Sequence, residues 1–358
     1  MLSYHVGSLL VAVFASAGAI PLIRSAYLIL RRKRAEEWAP EVAGFGVAIG
    51  SSVSIFYLGS ITSEPWGLLL AFGAIGLIGV GRLWHRADEV SLRSASRLPG
   101  VAVVSLFSVA LLILPVPLLT LEWSIAKVML FIWILITPFA LHSLHSWRGE
   151  NGAGALPVSV VVCQILLLLV VGIEGESGAP GSAALSLFAA VAVPVSGALV
   201  GSLLYLYPMP WRRKAAVSAG IATPLCLGTL VSWGAVQLGF DSTQNSAAGP
   251  VALLWILSGP VFELFRRTAV GGLPVFSSGR RSSVAAGRMS RHAEHNPTSI
   301  VVSAVIFGVI GILLLRLRVP EAWALLALLP ALVAYMLAPV LLDFRDGRAP
   351  PTLIEPQN

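Results

Sequence analysis

The residues best suited to chemistry gather around one acid, Glu263, in the run LLWILSGPVFELFRR (253–267). Pro260 precedes it, and Arg266 and Arg267 follow three and four residues on. An ionisable side chain inside an apolar run costs about 2.5–3.5 kcal/mol to insert at the bilayer centre, so a function is the first expectation. A structural reading stands beside it, because residues at i+3 and i+4 share the acid's helix face and either arginine can pair with it. The next segment, GGLPVFSSGRRSSVAAGRMSRHAEHNPTS (271–299), is basic and carries Arg280, Arg281, Arg288 and Arg291. Such a loop suits a pyrophosphate or an anionic lipid headgroup, although topology alone also places positive charge there.

Two histidine pairs share an i, i+3 spacing, His142 with His145 and His292 with His295. That spacing suits a transition metal, but no third ligand stands at a readable distance, so polar interfacial side chains are the simpler reading. Magnesium prefers carboxylate oxygens. The acids available for it near the same segments are Asp88, Glu89, Glu150 and Glu263, with His85 beside the first two. The glycines of GVGRLW do not form a phosphate loop, since no Gly-Lys-Ser/Thr ending follows.

Long apolar segments must position these groups. The 358 residues have a mean hydropathy of +0.85, with 56% hydrophobic and only 11% charged. A soluble domain cannot hide that much apolar surface, whereas a bilayer accepts it. The fold class expected is all-α, a polytopic membrane helical bundle, since an isolated strand would leave backbone groups unpaired in hydrocarbon. Eleven spans are expected, at 4–23, 42–61, 66–84, 100–120, 122–141, 156–173, 183–207, 217–239, 250–268, 299–316 and 321–342. They make one transmembrane domain, 1–342, followed by a proline-rich tail, 343–358. The first span lacks a basic start and runs into Arg24 and RRKR, so it reads as retained rather than cleaved.

With the N-terminus outside and the C-terminus cytoplasmic, the inner connections and the tail carry all but four of the 24 Lys and Arg residues. The exceptions are Arg24, Lys127, Arg316 and Arg318. This is the positive-inside pattern, and it explains the net charge of +7 without nucleic acid as a partner. Trp66, Trp123, Trp211, Trp255 and Trp323 fall near span ends, where interfacial anchoring accounts for them. Cys163 and Cys226 both sit in apolar runs, so no disulfide framework is indicated.

The order of these segments resembles the polyprenyl-phosphate N-acetylhexosamine-1-phosphate transferases, the superfamily that includes the phospho-N-acetylmuramoyl-pentapeptide transferase of cell-wall synthesis. The stretches that carry the resemblance are WAPEVAGFGVAIG from Trp38, GLIGVGRLW from Gly76 and ITPFALHSLHSWRGENGAGAL from Ile136. ALVGSLLYLYPMPWRRKAAVSAGIATPLCLG from Ala198, and Pro260, Glu263, Arg266 and Arg267 with FSSGRRSSVAAGRM, complete it. The resemblance implies transfer of a sugar-1-phosphate from a UDP-sugar to polyprenyl phosphate at the cytoplasmic face, with magnesium held by aspartates. Here the family's aspartate pair falls on Gly79 and Val80, and the aspartate of its methionine-glycine-aspartate turn on Ile221, with Gly220 kept. Its late histidines fall on Ser282, Val284 and Ala285, with Arg280 kept, and Glu150 is the only acid of the fifth-span loop.

Glycine, valine and isoleucine side chains cannot ligate magnesium. The resemblance therefore implies a divergent, non-catalytic member with no cofactor. It would bind polyprenyl phosphate in the inner membrane of a bacterium, as a homodimer or with a cell-envelope protein. Glu263 would be its remaining catalytic-position acid, and Arg266, Arg280, Arg281 and Arg288 its phosphate or headgroup contacts. Two alternatives stand beside it. One is an active, magnesium-dependent transferase with ligands rebuilt from Asp88, Glu89 or Glu150; the other is a small-molecule or lipid transporter in which Glu263 and a histidine carry a proton.

Overall fold

A computed structural model of the protein describes residues 2–30, 42–57, 124–145, 155–175, 183–207, 215–217, 222–240, 249–271 and 297–345. The described chain is helical: α1 (Leu2–Leu30), α2 (Val42–Tyr57), α3 (Ile125–His145), α4 (Ala155–Gly175), α5 (Ala183–Leu206), α6 (Ala222–Gly239), α7 (Gly249–Gly271), α8 (Pro297–Arg316), α9 (Glu321–Leu326) and α10 (Leu328–Arg345). Among the described residues, seven stretches are long and apolar enough to cross a membrane, the last running through α9 and α10. The expected spans 66–84 and 100–120 lie outside the described residues.

Two groups of helices make the bundle. One is α1, α2 and α5, packed mutually; the other has α3 against α6 and α7, with α8 on α7, and α4 bridges the two groups. α7 is the axis of the second group, with 83% of its most apolar window buried, against 17% for the span through α9 and α10. A helix in hydrocarbon gains little from hiding apolar side chains from lipid, so close backbone approach and interhelical hydrogen bonds decide who neighbours whom. Gly50 of α2 is one such approach: a Cβ there would stand 2.8 Å from the Ala12 carbonyl and 2.7 Å from Ser16 Cβ on α1. Gly228 of α6 is another, where a Cβ would meet Pro138 Cα of α3 at 2.5 Å.

Three of the prolines inside these helices set up hydrogen bonds between helices. A proline has no N–H, so the carbonyl four residues earlier loses its intrahelical donor, and in a bilayer no water replaces it. Pro21 frees Ala17, whose carbonyl accepts from the Tyr205 hydroxyl of α5 at 2.9 Å. Pro138 frees Ile134, which accepts from Ser232 Oγ of α6 at 3.0 Å. Pro260 frees Ile256, which accepts from Gln164 Nε2 of α4 at 3.2 Å. Each break in one helix thus names the helix that must lie beside it. Tyr205→Phe and Ser232→Ala are each expected to lower stability by roughly 0.6–1.7 kcal/mol, the range of interhelical hydrogen bonds in membranes. The carbonyls lie on different helices, so the losses should add in the double variant. Thermal unfolding in detergent measures this, and unchanged midpoints for both would refute it.

The ends are capped in recognisable ways. Ser124 accepts from the Lys127 N–H at 3.3 Å as the N-cap of α3, and Glu321 Oε1 accepts from the Ala126 N–H at 2.9 Å. Glu321 therefore places its charge at the positive end of the α3 dipole and pins the start of α9 there. α8 ends with Arg318 at φ 50, where Val319 N–H reaches the Leu314 carbonyl and Arg318 N–H the Leu315 carbonyl, both at 3.1 Å. This is a Schellman turn, followed by Pro320, which cannot extend the helix.

Candidate functional site

Glu263 is fully buried in the second half of α7, and its carboxylate gathers donors from two helices. Arg266 grips it with both edges of the guanidinium, Nε to Oε2 at 2.9 Å and Nη2 to Oε1 at 2.7 Å. Arg267 donates Nε to Oε1 at 2.7 Å, and Tyr335 of α10 donates its hydroxyl to Oε2 at 3.0 Å. A carboxylate has about four lone-pair positions, so these four bonds commit all of them. Arg267 also donates Nη1 to the Ser143 carbonyl near the end of α3, which ties α3, α7 and α10 together at one end of the bundle.

The local sequence explains the geometry. Residues 263, 266 and 267 lie on one face of a continuous helix, so the acid and both bases meet without any long-range folding. Tyr335 arrives by packing: its ring lies 6.2 Å from that of Phe262 on α7 and 5.9 Å from Phe307 on α8. Those two phenylalanines meet edge-on at 5.2 Å, and the aromatic set fixes where the hydroxyl points.

Among the described residues, two guanidinium cations face this one carboxylate. The Arg266 side chain is 5% exposed and that of Arg267 19%, so the second is the partly accessible edge of the cluster. The arrangement can hold an anion at that edge. It cannot offer Glu263 to a cation or a proton without first breaking charge-assisted bonds, which are about twice as strong as neutral ones.

Of the two sequence readings of Glu263, the structural one is seen: the intrahelical ion pair is present, and it is made to both arginines. Arg280, Arg281, Arg288, Ser282, Val284 and Ala285 lie outside the described residues, as do Gly79, Val80, Ile221, Asp88, Glu89 and Glu150. Among the described residues, no three of His, Cys, Asp and Glu gather where they could hold a metal. His142 is half-buried near the end of α3, and Cys163 and Cys226 are not joined in a disulfide. Trp255 differs from the expectation of an interfacial anchor. It is 3% exposed and its indole donates to the Ala324 carbonyl of α9 at 3.2 Å. Six residues into α7 it faces the helix packed beside it, which position along the chain alone does not reveal. Tyr335 and Ser143 were not singled out from sequence; the one signal for Tyr335 is a hydroxyl in an otherwise apolar run.

Fold and site together define an integral, multi-pass helical membrane protein built around a buried charged cluster. No family model matches the chain, and no curated protein matches it.

Proposed function

We propose that this protein is a non-catalytic relative of the polyprenyl-phosphate sugar-1-phosphate transferases. It spans the inner membrane of a bacterium eleven times, N-terminus outside, and binds the phosphate of a polyprenyl lipid at its cytoplasmic face. One observation carries the reading: the only acid kept at a family position, Glu263, has both oxygens committed to Arg266, Arg267 and Tyr335. A carboxylate so engaged works as the counter-charge that holds two arginines in a low-dielectric setting. The paired guanidinium groups of Arg266 and Arg267 support recognition of a phosphate monoester, the group guanidinium geometry suits best. The basic loop with Arg280, Arg281 and Arg288 adds attraction for anionic headgroups on the same side of the membrane.

The residues at the remaining family positions, Gly79, Val80 and Ile221, bring no oxygen to a magnesium ion. The same commitment of Glu263 argues against the transporter reading, because a proton carrier must alternate between free and occupied lone pairs. In nanodiscs containing polyprenyl phosphate, a UDP-N-acetylhexosamine and magnesium, the purified protein is expected to retain the lipid and release no UMP. Arg267→Gln is expected to weaken retention about tenfold, the loss of one charge-assisted contact. UMP release abolished by Glu263→Gln would establish the enzyme instead, and release sensitive to Asp88, Glu89 or Glu150 would establish the rebuilt site. Absence of lipid retention would remove the reading.

A further inference from the structure

At the far end of the bundle from Glu263, one residue of the turn between α8 and α9 departs from two rules. Arg318 stands there at φ 50, the left-handed position that closes the Schellman turn of α8. Glycine usually fills it, because a side chain at positive φ is strained. Arg318 is also one of the four cations that depart from the positive-inside pattern. A glycine would satisfy both rules. The arginine is kept against both and is exposed, and residues held in such conformations gather at binding sites.

The surroundings of Arg318 suit an amphiphile. Glu321 Oε1 on the Ala126 N–H brings the start of α3, and with it Lys127, beside this turn, and Arg316 precedes it at the end of α8. Arg267 meets the Ser143 carbonyl roughly 26 Å further along α3, close to the ~30 Å of a bilayer's hydrocarbon core. The turn therefore lies at a membrane–water boundary. Trp323, in the first turn of α9, is 67% exposed, as an interfacial tryptophan is. Leu317 on the turn is 73% exposed, and Leu313 and Leu326 are exposed about one helical turn further into the spans. A guanidinium fork over an apolar surface matches a phosphate group that carries acyl chains, whereas a soluble anion gains nothing from the apolar part.

We infer that this turn binds the phosphodiester headgroup of an anionic glycerophospholipid, with Arg318 as the principal contact and Leu317 and Trp323 against the glycerol and upper acyl region. Lys127 and Arg316 add positive charge at the same end, while Arg318 supplies the fork. In the orientation proposed above the lipid belongs to the outer leaflet. The site is independent of the polyprenyl-phosphate reading, since that lipid is assigned to the opposite end of α3.

The test uses the full chain in phosphatidylcholine nanodiscs that hold a minor share of phosphatidylglycerol. Cys163 and Cys226 are replaced by serine, and a bimane fluorophore is attached at Leu313→Cys, an exposed position. In one sample the phosphatidylglycerol is brominated near the glycerol end of its acyl chains; in the other an equal amount of the phosphatidylcholine is. Bromine quenches the fluorophore on contact, so the ratio of quenching reports which lipid stays beside the turn. The expected preference for phosphatidylglycerol is about fivefold, the worth of one arginine near a membrane surface. It should vanish in Arg318→Gly and in Arg318→Gln. In phosphatidylcholine alone, Arg318→Gly should unfold at or above the parent's thermal midpoint, because glycine relieves the positive φ. Equal quenching by the two lipids in the parent, or a preference that survives both substitutions, overturns the site. A clearly lowered midpoint of Arg318→Gly in phosphatidylcholine overturns it too, by making the arginine part of the fold. Loss of the preference on adding inorganic phosphate at constant ionic strength would show a general anion site and overturn the lipid as its occupant.

Discussion

Glu263→Ala is expected to destabilise the protein by about 3–5 kcal/mol, the cost of stranding buried charge. The variant leaves two guanidinium groups, with side chains 5% and 19% exposed, sharing a pocket with no anion among their hydrogen-bond partners named above. The asymmetry of the cluster makes the prediction sharp. Arg266→Met removes one cation and leaves a neutral Glu263–Arg267 pair still bonded to Tyr335, so its loss should be clearly smaller. Glu263→Ala with Arg266→Met and Arg267→Met removes the acid and both bases at once and should recover much of the stability, since an apolar replacement of a buried ion cluster is often neutral. Thermal midpoints and the yield of monodisperse protein in detergent report all three. A Glu263→Ala protein as stable as the parent would mean that the cluster does not hold α3, α7 and α10 together.

Gly228→Val is the second large effect. The added Cβ would stand 2.5 Å from Pro138 Cα and 3.2 Å from both Pro138 N and Cβ. Those neighbours are backbone and ring atoms, which no side-chain rotation can move aside, so α6 and α3 must separate. Overpacking of this kind costs about 1–3 kcal/mol, with alanine toward the low end and valine toward the high end. Separation also stretches the Ser232 bond to the Ile134 carbonyl, so Gly228→Val and Ser232→Ala should be less than additive. Gly18 serves as the control, because a Cβ there meets nothing within 4 Å. Gly18→Ala should be neutral or stabilising by up to about 1 kcal/mol, as expected for removing a helix-interior glycine. Equal effects at Gly18 and Gly228 would show that backbone approach is not what sets the α3–α6 contact.

Much of the helical frame was readable because a bilayer imposes a simple rule: about 20 apolar residues cross it, and basic residues end the crossing. The expected span 250–268 corresponds to α7, Gly249–Gly271, and 299–316 to α8, Pro297–Arg316. The expected span 321–342 corresponds to α9 and α10, which run on through Ala327, whose N–H keeps its bond to the Trp323 carbonyl at 3.0 Å. α1 runs on to Leu30 past Arg24, whose long side chain turns to a polar partner on another segment, the Ala216 carbonyl at 3.1 Å.

The candidate site divides along the same line. Sequence by itself determined the acid, the two arginines and their common face, because an i, i+3, i+4 relation is fixed by helix geometry alone. It also determined that Ala17, Ile134 and Ile256 would lose their intrahelical donors, since a proline four residues on guarantees it. Only the tertiary structure decided what answers those losses and what closes over the acid. Tyr205, Ser232 and Gln164 supply the donors, and Tyr335, 72 residues from Glu263, supplies the fourth bond to the carboxylate. In hydrocarbon one apolar helix face is much like another to its neighbours, so partner choice passes to a few polar atoms and close-packed glycines, and their matching across helices exists only once the bundle has assembled.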